Sequence, residues 1–164
     1  MESTDGLTGG PLGDERATTE LQALAVQLRR MNGEVTRLAH AFAHAEGLHA
    51  TDVQALAAIL DAQTPLTPGR LREHLGLTSG AVTACLDRLE RSGHVRRSRD
   101  SADRRVVHLY YEPAAKSVAR SFFMPLAEAA AEARALSEPG EVAAALRFLA
   151  RMNGALARTE SPRR

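Results

Sequence analysis

The chain has 164 residues, 44% of them hydrophobic and 25% charged, with a formal net charge of +1. That balance describes an ordinary soluble globular chain, one domain by length, with enough residues to bury a core. No apolar run approaches the roughly 20 residues that span a bilayer, and a single cysteine excludes an internal disulfide framework and fits a reducing cytoplasm.

Residues 1–17 are rich in Gly, Ser, Thr and Asp and show no apolar period, so they are expected to form a disordered arm. They lack the basic region and apolar core of a signal peptide. From Thr18 to about Glu46, Leu21, Leu24, Leu28, Met31, Val35, Leu38 and Phe42 recur in steps of three and four, which predicts a long helix ended by Gly47. So long a regular seam exceeds what one globule needs and points to a second helix, from this chain or from another copy. A second helix is expected over Asp52 to Ala62, capped by Thr51. Thr64-Pro65-Leu66 reads as a connector or a very short strand. A third helix starts at Pro68, capped by Thr67, and ends at Gly76.

The fourth helix, Gly80 to Arg91, is capped by Thr78 or Ser79. It sets Val82, Leu86 and Leu89 on one face, with Cys85 alongside. Ser79, Gly80, Thr83, Ala84, Asp87, Arg88 and Arg91 lie on the other. Small residues at the N-terminal end and basic ones at the C-terminal end suit a helix that approaches base edges and phosphates. After Gly93, His94–Arg97 and Val106–Tyr110 alternate like two strands around a polar turn, Arg99–Arg104. Seven arginines lie between Cys85 and Tyr110, namely Arg88, Arg91, Arg96, Arg97, Arg99, Arg104 and Arg105, against Asp87, Glu90, Asp100 and Asp103. Positive charge is therefore concentrated where a phosphate backbone would lie. Two further helices are expected, about Ala114–Leu136, interrupted at Pro125, and about Pro139–Arg158. Residues 159–164 read as a tail.

The pattern is a winged helix-turn-helix, mainly α with a small β-wing. Arg88, Arg91 and Arg97 are assigned to phosphate contacts, and Ser79 and Thr83 to bases, with Gly80 allowing close approach. Other residues have plainer readings. Cys85 beside the apolar stripe reads as a small core residue. His40 and His44 are spaced like a metal pair, but no Cys or Glu cluster completes a site, so they read as surface residues. Tyr110 and Tyr111 point to opposite faces of a strand. There is no phosphate loop after a strand, nucleophile elbow or HExxH, so neither an enzyme nor a cofactor is expected.

From about Leu21 to Leu156 the chain resembles the MarR family, the multiple-antibiotic-resistance type of bacterial winged-helix repressors. The residues that carry this are Arg88-Leu89-Glu90, Gly93, Val95, Arg97, Asp100, Asp103-Arg104-Arg105 and Leu109. Tyr111-Glu112-Pro113 departs from the family's usual threonine-containing turn. The resemblance implies a homodimer joined through residues 18–47 and 114–158, around a DNA-binding lobe at 51–111. It implies a recognition helix in the major groove of a pseudo-palindromic duplex and a wing in the minor groove. Arg105 would be the wing-tip residue, oriented by a salt bridge from Asp103, with Arg99 and Arg104 beside it. It also implies release by a small aromatic or phenolic ligand bound between the dimerisation helices and the lobe, and the absence of Trp argues against the urate-type subgroup. The alternative is an architectural or protein-interaction dimer with sequence-indifferent DNA binding.

Overall fold

The computed structural model describes residues 11–100 and 103–159. Among these the order is α1 (Pro11–Ala45), α2 (Ala50–Asp61), α3 (Pro68–Leu75), α4 (Ser79–Arg91), β1 (Val95–Arg99), β2 (Val107–Tyr111), α5 (Pro113–Phe122), α6 (Met124–Ala135) and α7 (Glu141–Ala157). The chain divides into two compact units, one ending at Phe122 and the other beginning at Phe123. A single domain over 18–158 was expected. The division falls where Pro125, the second residue of α6, cannot continue the preceding helix: it lacks an N–H, and its ring clashes with the carbonyl four residues earlier.

α1 starts at Pro11, seven residues before the expected start. Proline suits the first turn of a helix, where a backbone N–H would have no partner within the helix. The expected disordered arm is therefore helical over residues 11–17, and its residues 1–10 lie outside the described residues, as do 160–164 of the expected tail. Only the C-terminal end of α1 is buried, through Phe42 and Ala43; Leu21 and Met31 are exposed. The cap of α2 is His49 rather than Thr51. Asp52, three residues into the turn, accepts the His49 backbone N–H at 2.9 Å and draws the helix start back by two residues.

The core of the first unit lies where α2, α3, α4 and the base of the wing meet the end of α1. Leu56, Leu71, Val82, Leu86, Leu89, Val95 and Leu109 are all buried there, with Phe42 packed edge-on against His94 and Phe122. Each such side chain contributes about 1.5–3 kcal/mol of burial. The turn between α3 and α4 is specified locally. Thr67 accepts from the Arg70 amide, and Thr78 from the Ala81 amide. Between them Gly76 takes φ 63°, the left-handed conformation that lets α3 stop.

β1 and β2 pair antiparallel, Val95 opposite Tyr111 through Arg99 opposite Val107. Leu66 adds a single bridge, accepting the Leu109 N–H at 2.8 Å, so the connector before α3 does serve as a very short strand. In the second unit, α6 and α7 have no buried residues. Leu126, Leu136, Val142, Leu146, Phe148 and Leu156 are exposed.

A buried ion pair crosses the core. Asp52, with 0% of its surface exposed, accepts two hydrogen bonds from Arg88 of α4, at 3.0 Å from Nε and 2.7 Å from Nη2. Burial alone would raise the Asp52 pKa. Hydrogen bonds from Arg88, the His49 amide and the Cys85 thiol outweigh that and hold it below the ordinary carboxylate value. A depressed folded-state pKa means that the ion pair's stabilisation is present above pH 4 and is lost as pH falls through the lowered value. Asp52→Asn should therefore cost about 3 kcal/mol at pH 7. The gap to the wild type should begin to narrow as pH falls below about 4 and close once it has passed the lowered folded-state value, where the folded wild type also loses its charge. Urea denaturation at a series of pH values checks this; a gap constant with pH would mean that Asp52 contributes as a neutral group.

Candidate nucleic-acid interface

The apolar side of α4 is fully used: Val82, Cys85, Leu86 and Leu89 are buried. Its other side is open. Ser79, Gly80, Ala81, Thr83, Ala84, Asp87 and Arg91 are all exposed, and a Cβ built on Gly80 would meet nothing within 4 Å. Thr83 Oγ1 donates to the Ser79 carbonyl at 2.9 Å, which leaves its oxygen able to accept from a partner. Ser79 Oγ accepts from Arg72 Nη1 of α3 at 3.4 Å. The predicted base-reading residues thus stand together at the exposed N-terminal end of α4.

The predicted phosphate-contacting arginines do not all stand with them. Arg88 is turned inward onto Asp52. Arg97 is clasped by two carboxylates of α4, Nη1 by Glu90 at 2.7 Å and Nη2 by Asp87 at 2.8 Å, and its backbone N–H donates to Glu90 at 3.1 Å. Arg91 reaches back to the Asp87 carbonyl at 3.1 Å. Arg96 lies 4.6 Å above the Tyr110 ring and 3.2 Å from Glu112. Acidic residues that looked in sequence like a diluting background are thus specific partners, 36 positions away for Arg88 and 7 and 10 for Arg97.

Arg99, Arg104 and Arg105 are exposed, and among the described residues none of them has a carboxylate partner. In the strand register Arg99 shares a face with Arg97, the side of the wing that meets α4. Asp103 does not hold the Arg105 guanidinium. Its Oδ1 accepts the Arg105 backbone N–H at 2.9 Å, because two residues is the natural reach of an aspartate back onto its own turn. The result is a fixed frame: an exposed helix face, a clasp from Glu90 and Asp87 to Arg97, and beyond it a turn that carries guanidiniums.

Three features were not anticipated from the sequence: the role of Asp52, the Arg97 clasp, and a contact between His108 and Asp100 at 3.0 Å. An acidic residue three positions into a helix was a usable signal for the first. The latter two had none, because each joins residues on different elements. Cys85 is 1% exposed, and burial followed by its hydrogen bond to Asp52 pushes its thiol up to about 12. His40 and His44 are exposed, and no cluster of three His, Cys, Asp or Glu that could hold a metal occurs among the described residues. None of the described helices is long and apolar enough to cross a membrane.

A helix-turn-helix followed directly by a two-stranded wing defines a winged-helix protein. Residues 46–106 match the model of the MarR family. Over 111 residues the chain is 44% identical to YcgE of Bacillus subtilis (strain 168), an uncharacterized HTH-type transcriptional regulator, covering 67% of this chain and 71% of that one. The fold is also that of the transcriptional regulator BldR from Sulfolobus solfataricus, with 26% identity, a TM-score of 0.54, and coverage of 86% of this chain and 96% of that one. It is shared with Streptococcus pneumoniae FabT, solved in complex with DNA, at 23% identity, a TM-score of 0.58, and coverage of 84% and 97%. The chain belongs to the MarR family of transcriptional regulators, and is not an enzyme.

Two outcomes follow from the geometry. Cys85 should resist a thiol-specific disulfide reagent at pH 8 and react only as the protein unfolds; fast reaction of the native protein would show that the thiolate is accessible. Arg97→Ala should lower stability by about 1–2 kcal/mol in urea denaturation, since two partly exposed carboxylates lose a shared partner. No change would mean that the clasp contributes nothing to the folded state.

Proposed function

We propose that the protein is a dimeric, sequence-specific DNA-binding regulator, a repressor, that places α4 in the major groove and the wing in the flanking minor groove. The observation that carries this is the set of guanidiniums at Arg99, Arg104 and Arg105, without a carboxylate partner among the described residues and on a wing that the Arg97 clasp holds to α4. A narrow minor groove has an enhanced negative potential that attracts arginine. Arg91, Arg99, Arg104 and Arg105 are the positions this reading favours for DNA, with Ser79, Gly80 and Thr83 at base edges. Arg88 and Arg97 act through the frame they hold, and Asp103 through the turn.

The dimer is supported by apolar surface that the single chain leaves open, on α1 at Leu21 and Met31 and on α7 at Leu146, Phe148 and Leu156. Two α4 helices about 34–36 Å apart would read a pseudo-palindrome. For a releasing ligand, the reading favours a cleft of about 210 Å³ where α2, the base of the wing and α5 meet. Lys116, Tyr110 and Tyr111 are among the residues that line it, and a cation beside aromatic residues suits a small aromatic acid. Such a ligand acts only by favouring a dimer whose recognition helices are mis-spaced.

Selection of random duplex DNA by the purified protein at ~0.15 M salt should recover an inverted repeat. Recovery of no preferred sequence, with binding that vanishes as salt rises, would support the architectural reading instead. On the selected site, Arg105→Ala should weaken binding most where the flanks are A·T-rich and reduce the salt slope by about one. Equal loss on every flank would reject minor-groove reading by Arg105.

A further inference from the structure

The wing turn carries Arg104 and Arg105, which have no carboxylate partner among the described residues, and a group of bonds centred on Asp100 holds its backbone. The Asp100 N–H donates to the Val106 carbonyl at 2.9 Å, and the Val106 N–H donates to the Asp103 carbonyl at 2.9 Å. Oδ1 of Asp100 accepts the Asp103 N–H at 3.4 Å, and Asp103 in turn accepts the Arg105 N–H at 2.9 Å. Oδ2 of Asp100 faces Nε2 of His108 at 3.0 Å. His108 lies on β2 opposite Ser98, on the face shared with Tyr110 rather than the face of Arg97. Its Nδ1 is buried and has no hydrogen-bond partner among the described residues. An ionised carboxylate only accepts, so this contact is a hydrogen bond in any state of His108 that carries a proton on Nε2.

We infer that His108, acting through Asp100, is a positioning residue for the wing tip. It holds the Asp100 carboxylate that accepts the Asp103 N–H, and Asp103 in turn accepts that of Arg105, so it sets the direction in which Arg104 and Arg105 leave the sheet, without touching DNA itself. This role rests on the reading of the wing as a DNA contact; the latch itself does not. The physical gain is preorganisation. A long arginine side chain loses less freedom on binding when the backbone beneath it is already ordered. The bonds from His108 to Arg105 form a chain, so removing the first loosens those beyond it.

The test uses the full chain and two variants. His108→Leu keeps bulk and removes the donor, whereas His108→Gln restores an N–H toward Asp100. In the free protein, His108→Leu should speed amide hydrogen exchange at Asp103 and Arg105 about tenfold while leaving the core amide of Leu86 unchanged, as expected for a local opening. On the selected duplex it should lose about fivefold in affinity, equivalent to one hydrogen bond of about 1 kcal/mol. Its salt slope should equal that of the wild type, because no phosphate contact is removed. His108→Gln should restore both exchange and affinity. Unchanged exchange in His108→Leu would overturn the latch whatever the DNA result. Faster exchange with unchanged affinity would overturn the positioning role, and a reduced salt slope would replace it with direct contact. A wild-type protein that binds no duplex would overturn the DNA reading and with it the positioning role, while exchange would still decide the latch.

Discussion

The placement of α4 depends on a carboxylate buried in the middle of the first unit. Asp52 has no exposed surface and must have its charge met inside the protein. Arg88 meets it with two donors, and the His49 amide and the Cys85 thiol complete its shell. Because Asp52 sits in the first turn of α2 and Arg88 in the last turn of α4, that single ion pair fixes where one helix lies against the other. Apolar packing would tolerate small rotations of α4; a bidentate guanidinium–carboxylate pair tolerates far less.

A second clasp works on the opposite side of the same helix. Glu90 and Asp87 take hold of Arg97, and the wing is thereby indexed to α4 rather than merely following it in the chain. Arg91 is exposed and donates to the Asp87 carbonyl, and the other six arginines of this region divide by geometry into two sets. Arg88, Arg96 and Arg97 are neutralised within the protein and build the frame, while Arg99, Arg104 and Arg105 are left to the solvent at its far end. A net charge of +1 hides this division, since the balancing acids are spent on the first set. The field that a polyanion would meet is set by the second.

Much of the fold was legible because its signals are local. Thr67 and Thr78 cap helices whose first amides lie three residues ahead, Gly76 alone among its neighbours adopts a positive φ readily, and strand alternation needs only a period of two. The exposed face of α4, with Ser79, Gly80 and Thr83, followed from the 3.6-residue period. Elsewhere local reading misled. Gly and Thr near the N-terminus suggested disorder, yet Pro11 begins a helix that continues to Ala45. Thr51 looked like a cap, yet Asp52 serves the turn from within.

By itself, the sequence determined the order of elements, the winged helix-turn-helix and the density of positive charge around it, since periodicity, capping and composition act over a few residues. Only the tertiary structure decided which arginines remain available. A guanidinium's fate depends on whether a carboxylate comes within reach. For Arg88 that partner is 36 residues away, and for Arg97 it lies on a different element. Contacts of that kind are made by packing, and no spacing along the chain announces them.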